Sequence, residues 1–316
     1  MNSELPDTGD LGKLNPMWIT GFSDGESSFI VSVHKRKDFS TGWCANTCFS
    51  IQLHIKDKAI LCQIRDTLGV GTIHIYEKLG KAVYRVSSTK HLMDVIIPHF
   101  NAYPLISQKQ ADFELFKKVV DLVNRKEDLT MEGLKKILGI RAAMNKGLSE
   151  VQIASFPDIT AAVRPVVQVP TSVDPDWLAG FTSGEGCFYV QLSQTKKKTG
   201  FGVNLNLRYI IGLGRRDTAL LHAIMNSLGC GNIDIKSTGN MACFTISSLA
   251  QLNGVLIPLF DKHPILGIKQ LDYIDFCKIS KLAGEKAHLT EGGLEEIRKL
   301  KLGMNSGRIA LDGEAS

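Results

Sequence analysis

Trp18-Ile-Thr-Gly-Phe-Ser-Asp-Gly-Glu26 returns 159 residues later as Trp177-Leu-Ala-Gly-Phe-Thr-Ser-Gly-Glu185. Further matches follow in the same order at an offset of 160. Leu68-Gly69-x-Gly71 meets Leu228-Gly229-x-Gly231, Ile97-Pro98-x-Phe100 meets Ile257-Pro258-x-Phe260, and Met144-Asn145-x-Gly147 meets Met304-Asn305-x-Gly307. The chain is one unit written twice, with a slip of one residue between the first match and the rest. Two repeats are expected at 1–148 and 174–316. Between them, Pro157, Pro165 and Pro170 mark 149–173 as an extended linker.

Within each copy the hydrophobic period alternates between helix and strand. The motif itself is a helix. Phe29, Val31 and Val33 then alternate with Ile30, Ser32 and His34, which is the period of a strand with one buried face. A second strand over 46–54 buries Phe49, Ile51 and Leu53, with His34 to Trp43 as the connecting loop. Asp57 is expected to cap a helix carrying Ile60, Leu61, Ile64 and Leu68, closed by Gly69. Short strands near 72–78 and 81–87 and helices near 90–100, 108–125 and 131–145 complete the unit. The second copy reads alike through Phe188, Val190 and Leu192, then Val203, Leu205, Leu207 and Tyr209, with Asp217 as cap. The fold class is α+β: two pseudo-symmetric αββαββα repeats, each with one four-stranded antiparallel sheet backed by helices.

Composition bounds the function. The 316 residues carry 37 Lys+Arg against 32 Asp+Glu, for a net charge of +5, with 44% hydrophobic residues; mean hydropathy is +0.01 and the pI is 8.7. This excludes wholesale disorder, and no apolar run approaches the ~18 residues of a membrane span. The N-terminal residues Met-Asn-Ser-Glu-Leu-Pro-Asp lack the pattern of a secretory signal. The seven cysteines are odd in number and scattered, with no Cys-x-x-Cys pair, so neither a disulfide framework nor a zinc site is expected. A mildly basic chain permits an anionic partner without specifying one.

The motif points to chemistry. Gly21 and Gly25, like Gly180 and Gly184, are four apart and leave a stripe of each helix without side chains. Close pairing of the two helices would bring Glu26 and Glu185 to one end, where like charges repel unless a cation lies between them. A divalent metal resolves that repulsion. Asp24 has Ser183 as its counterpart and is therefore secondary.

These stretches, Ile19-Thr-Gly-Phe-Ser-Asp-Gly-Glu-Ser27 and Leu178-Ala-Gly-Phe-Thr-Ser-Gly-Glu-Gly186, resemble the LAGLIDADG signature. The two-repeat layout, from about Asn15 to Arg308, is similar to the single-chain LAGLIDADG homing endonucleases of the fungal intron-encoded group. The resemblance implies a pseudo-two-fold saddle. It also implies a catalytic, metal-binding acid in each motif, here Glu26 and Glu185 at its eighth letter, with Mg²⁺ at the scissile phosphates. The signature has Asp at that letter, and the longer glutamate still reaches a metal. Lys109 and Lys269, related by the repeat, are assigned to stabilise phosphate charge. Leu53 and Leu213 stand where several relatives carry an inner-sheet glutamine, so no residue is assigned to position the attacking water.

The outward sheet face follows from alternation alone. In the first half it holds Ile30, Ser32, His34, Arg36, Cys48, Ser50, Gln52, Thr72, His74, Tyr76, Lys78, Lys81 and Arg85. In the second it holds Tyr189, Gln191, Ser193, Thr195, Gly202, Asn204, Asn206, Arg208, Asp234, Lys236, Met241 and Thr245. Such groups distinguish base edges in a major groove, and Lys37 with Lys196, Lys197 and Lys198 at the hairpin tips would hold phosphates. The expected partner is double-stranded DNA with a long asymmetric target, bound by a monomer with no membrane involvement. The alternative is a maturase acting on its own intron RNA. A mitochondrial home is implied by the resemblance alone.

Overall fold

The computed structural model describes residues 12–197, 200–235, 239–305 and 307, the side chains of 195–197, 200 and 201 excepted. The chain divides into two compact units, Met1–Gln168 and Val169–Ser316.

In the first unit, Asn15 caps helix α1 (Pro16–Glu26) by accepting the Met17 N–H at 2.8 Å, and Pro16 fills the first turn, where no donor is needed. No loop follows. Strand β1 (Ser27–Lys35) begins at the next residue, so Glu26 is held between a helix end and a ladder. The unit continues through β2 (Trp43–His54), α2 (Lys58–Leu68), β3 (Thr72–Tyr76) and β4 (Lys81–Val86). The turn Thr89–His91 (α3) then runs through a π turn into α4 (Ile97–Ala102), and α5 (Lys109–Asn124) and α6 (Met131–Ala142) complete it. The strands form one antiparallel sheet in the order β1-β2-β4-β3. Phe29, Val31, Phe49, Ile51, Tyr84 and Val86 are buried on one face against Phe100, Phe113 and Phe116.

The second unit repeats this with α8 (Pro175–Glu185), β5 (Gly186–Lys197), β6 (Gly200–Gly214), α9 (Thr218–Leu228), β7 (Asn232–Ile235) and β8 (Met241–Ile246). The turn Leu249–Gln251 (α10), α11 (Ile257–Lys262), α12 (Ile268–Gly284) and α13 (Glu291–Leu302) follow. Its sheet order is β5-β6-β8-β7. The repetition extends to backbone dihedrals: Lys126 and Lys286 have φ of 57° and 58°, and Gly71 and Gly231 have 92° and 91°. At Gly71 a Cβ would lie 2.5 Å from the Tyr84 ring, and at Gly231 it would lie 2.5 Å from the Phe244 ring. Each glycine lets the chain pass over a core aromatic in a conformation that side-chain-bearing residues avoid.

The one-residue slip lies in the first hairpin. Phe29 pairs with Phe49 and Phe188 with Tyr209, so β1 to β5 keeps the offset 159 while β2 to β6 has 160. Trp43 already pairs with Lys35, so β1 and β2 are both longer than expected and the loop is correspondingly shorter. Asp57 and Asp217 occupy the N-cap positions of α2 and α9 but make no capping side-chain bond there, because a 3-10 turn precedes each helix. Gly69 closes α2 with φ 73°, as its position predicts.

Residues 149–173 are not simply extended. They contain α7 (Glu150–Ser155), started by a capping box between Ser149 and Gln152, and the Gln152 amide also donates to the Val33 carbonyl at 2.7 Å. Phe156 packs on the Trp43 ring, and Arg164 binds Asp112 through two nitrogens at 2.7 and 3.0 Å. From Thr171 onward the chain attaches to α9 of the second unit: the Asn226 amide donates to the Thr171 carbonyl, and the Ser227 hydroxyl accepts the Val173 N–H. Among the described residues no helix is long and apolar enough to cross a membrane.

Candidate active site and sheet faces

Glu26 and Glu185 are each the last residue of a motif helix, and both are half-buried. A helix C-terminus presents carbonyl oxygens with partial negative charge, so a carboxylate there deepens a negative spot that favours cations. The lysines confirm the field. Lys109 is the first residue of α5, and its ammonium donates to the Ser23 and Gly25 carbonyls, both at 2.9 Å. The Lys269 ammonium donates to the Gly184 carbonyl at 2.5 Å. In each half, therefore, the cation reaches across from the later helix to the residues immediately before the glutamate.

Asp24 has a separate role. It is 5% exposed, and its carboxylate accepts the N–H groups of Ile106 and Ser107 at 2.9 and 3.2 Å, which ties α1 to the segment before α5. Ser183 does the same work more lightly through the Leu266 N–H at 3.1 Å. The sequence signal was its burial-prone position in a helix face, but nothing local named the segment it caps.

The donor set suits a hard divalent ion. Among the described residues no group of three or more His, Cys, Asp or Glu side chains gathers to hold a metal. Each motif instead offers one carboxylate beside a helix end rich in carbonyl oxygens. Magnesium is characteristically bound through one or two carboxylates, with water and substrate phosphate completing its octahedron.

The sheet faces match the alternation. Ile30, Ser32, His34, Gln52, Thr72, His74, Tyr76, Lys81 and Arg85 are exposed on one side of the first sheet, with Arg36 and Lys37 exposed in the loop beyond β1. Register places Ser32 opposite Asn46 and Arg85 between Ser50 and Thr72. Two corrections apply. Ser50 shares the face but is only 6% exposed, and Cys48 is half-buried with its thiol pKa raised by burial, because the longer side chains around them close over the centre of the sheet. Lys78 is exposed but lies in the 3-10 turn Glu77–Leu79, not on a strand. Arg36 is already engaged: its guanidinium pairs with Asp38, whose carboxyl is held down at about 2 by that bond.

In the second sheet, Tyr189, Gln191, Ser193, Asn204, Asn206 and Arg208 are exposed or half-exposed on one face, where Tyr189 pairs with Arg208 and Gln191 with Asn206. Thr245, Met241 and Asp234 continue it across β8 and β7, and Gly202 sits opposite Thr195. Thr195, Lys196 and Lys197 belong to β5 by their backbone. Their side chains, and all of Lys198 and Lys236, lie outside the described residues. Asn46 and His54 in the first half and Asn232 in the second are exposed on the same faces and were missed, although the alternation that found their neighbours runs straight through them.

The family model of the LAGLIDADG endonucleases matches this chain twice, over residues 19–120 and 178–280. The chain belongs to the LAGLIDADG endonuclease family. Each match opens inside a motif helix and runs into the lysine-bearing helix of the same half. A Neurospora crassa relative described as a probable intron-encoded endonuclease is 39% identical over 290 residues, which cover 91% of this chain and 54% of that protein. A second Neurospora crassa protein of the same description is 35% identical over 301 residues, 91% of this chain and 64% of its own length. The chain thus spans about half to two thirds of these curated relatives. Among solved structures, the I-SmaMI LAGLIDADG homing endonuclease bound to cleaved DNA superposes with a TM-score of 0.90 at 40% identity, covering 95% of this chain and 100% of that one. The same endonuclease bound to uncleaved DNA target in the presence of calcium ions gives 0.88 at 40% identity, covering 93% and 99%.

Proposed function

We propose that this LAGLIDADG protein is a sequence-specific double-strand DNA endonuclease that hydrolyses one phosphodiester on each strand. The observation that carries this reading is the repeated arrangement of acid, carbonyl-anchored lysine and polar sheet face, present once in each half. Glu26 and Glu185 would each hold divalent metal, Mg²⁺ in this reading. When bound, the metal supplies an activated water and neutralises charge on the leaving oxygen. Lys109 and Lys269 place positive charge beside the scissile phosphate, where it stabilises the developing negative charge.

The sheet faces bind the flanking duplex. Gln52, Gln191, Asn204, Asn206, Arg85 and Arg208 read base edges, while Ile30 and Tyr189, equivalent in the repeat and both just under 40% exposed, offer apolar contact to thymine methyls. Because equivalent positions carry different side chains in the two halves, the target is long and asymmetric. A single chain holds both halves, so the active form is a monomer. The mitochondrion is the compartment this reading assigns, on the strength of the family. Endonuclease relatives and DNA-bound neighbours support DNA, rather than the protein's own intron RNA, as the substrate.

The deciding experiment incubates supercoiled plasmid carrying the target with wild type, Glu26→Gln and Glu185→Gln, in Mg²⁺ and then in EDTA. Wild type is expected to give linear product only with the metal. Both variants are expected to retain DNA binding and lose cleavage. A variant that still linearises the plasmid refutes the assignment of that acid.

A further inference from the structure

The two lysines are anchored alike but supported unequally. In the first half, the Asp24 carboxylate receives the Ile106 N–H at 2.9 Å, the Ser107 N–H at 3.2 Å and the Ser107 hydroxyl at 2.5 Å. The same Ser107 oxygen accepts the backbone N–H of Lys109 at 3.1 Å. A continuous chain of bonds therefore leads from the motif helix, two residues before Glu26, to the first residue of α5. Asp24 and Ser107 are 5% and 8% exposed, so water does not substitute easily for these partners. The segment is also held from behind: Arg164 donates to the Gln108 carbonyl at 2.9 Å while gripping Asp112 one turn further along α5.

In the second half both members of the pair differ. Ser183 replaces Asp24, and Gly267 stands where Ser107 does. Ser183 accepts one N–H, from Leu266 at 3.1 Å, and spends its own proton on the Ala179 carbonyl at 2.9 Å. Gly267 has no hydroxyl with which to cap the helix start, and its φ of 75° is a conformation that glycine adopts without strain. A charged acceptor with three bonds has been exchanged for a neutral one with a single N–H, and bonds to an ionised acceptor are roughly twice as strong.

Resting on the endonuclease reading above, we propose that Asp24, acting through Ser107, is a positioning residue for Lys109, and that its replacement by Ser183 and Gly267 makes the half-sites unequal, so that the two DNA strands are cut at different rates. A charge held within fractions of an ångström of its working position contributes far more than one that wanders, and a misplacement of about 1 Å costs on the order of 100-fold. The half containing Lys109 cuts first, and the nicked intermediate carries an intact strand at the other half.

The test labels each strand of the target separately and follows single-turnover cleavage in Mg²⁺. Lys109→Ala and Lys269→Ala identify which strand depends on which lysine. The double variant Asp24→Ser, Ser107→Gly copies the second half into the first. It is expected to slow the Lys109-dependent strand roughly ten-fold or more, to leave the other within about two-fold, and so to abolish the lead of the first cut. Equal slowing of both strands, no slowing, or slowing confined to the Lys269-dependent strand overturns the proposal. If Lys109→Ala itself slows both strands equally, the strand assignment is wrong. The milder Ser107→Ala, checked by thermal melting and DNA binding, serves if the double variant does not fold.

A readout independent of cleavage separates this proposal from the reading it rests on. Reductive methylation followed by peptide mass analysis measures how well each ammonium is shielded. The double variant is expected to raise labelling at Lys109 several-fold over wild type, with Lys269 unchanged. Unchanged labelling at Lys109 refutes the positioning role even if cleavage falls. Raised labelling in a protein whose wild type cuts no DNA upholds the positioning and refutes the endonuclease.

Discussion

Ser23 and Thr182 occupy the same position of the motif helix, yet only one of their hydroxyls is satisfied. Thr182 shares a 2.6 Å hydrogen bond with the Tyr209 hydroxyl, whereas Ser23 Oγ is buried with no partner. The reason is the residue opposite: the place of Tyr209 is taken by Phe49 in the first half. Burying a polar group without a bond costs on the order of 1 kcal/mol or more. Ser23→Ala is therefore expected to leave stability unchanged or raise it by about 1 kcal/mol, whereas Thr182→Val is expected to lower it by a similar amount by stranding the buried Tyr209 hydroxyl; urea unfolding of both variants checks this. The Asp112–Arg164 pair gives the opposite expectation. Arg164→Ala leaves a largely buried carboxylate without its cation, and a loss of about 2–4 kcal/mol is expected by the same measurement.

At the scale of an element, α1 and α4 are joined by a polar contact that the second unit does not repeat. The Thr20 hydroxyl donates to the Tyr103 carbonyl at 3.0 Å, so its oxygen is left to accept from His99 Nε2 at 3.3 Å, which places the imidazole proton on that nitrogen. The counterparts are Ala179 and Leu259. Burial pulls the His99 pKa down to about 4. A depressed folded-state value means that the unfolded chain takes up the proton first, near 6.5. Stability from this site is complete above about pH 6.5 and declines as pH falls towards about 4, by up to about 3 kcal/mol. The double variant Thr20→Ala, His99→Leu, built on the second unit's pattern, is expected to flatten that part of the stability profile, as thermal melts between pH 4 and 7 will show.

The elements also show what a sequence discloses. Helix α1, strands β1 and β5 and the closure of α2 at Gly69 were legible because each depends on neighbours along the chain: a repeat, a period of two, a left-handed glycine. The role of Asp24 was not, since its partners Ile106 and Ser107 are some 80 residues away. Nor was α7, a helix of six residues among prolines, whose stability comes from docking Gln152 on β1 and Phe156 on Trp43. Ser50 illustrates a third limit. Alternation assigned it to the correct face, but only the surrounding side chains decide whether that face is open there.

For the whole molecule, a net charge of +5 is modest, so affinity for a polyanion must come from where the cations stand rather than from how many there are. Lys78 and Lys81 are exposed at the turn that joins β3 to β4, with β2 lying between β4 and the strand that starts after Glu26. Under the proposed function they contact phosphates. Replacing both by alanine is expected to weaken binding to all duplexes alike and to make the plot of log affinity against log salt shallower by about 2, while cleavage of saturating target is retained. Replacing Asn206 by alanine should instead relax preference at one base pair without changing the salt slope. Fluorescence anisotropy over a salt series separates the two outcomes.

Strand β1 leaves the motif helix with no loop between them and spans roughly 30 Å to a hairpin tip that tolerates an added residue. Within each half that strand is thus a tether, fixed where it meets the motif helix and at liberty to change at its far tip. Under the proposed function, retargeting such a protein becomes a matter of rewriting the tip. Variants recoded along the outer faces should inherit the parent's turnover, provided the first two residues of each tether keep their ladder partners.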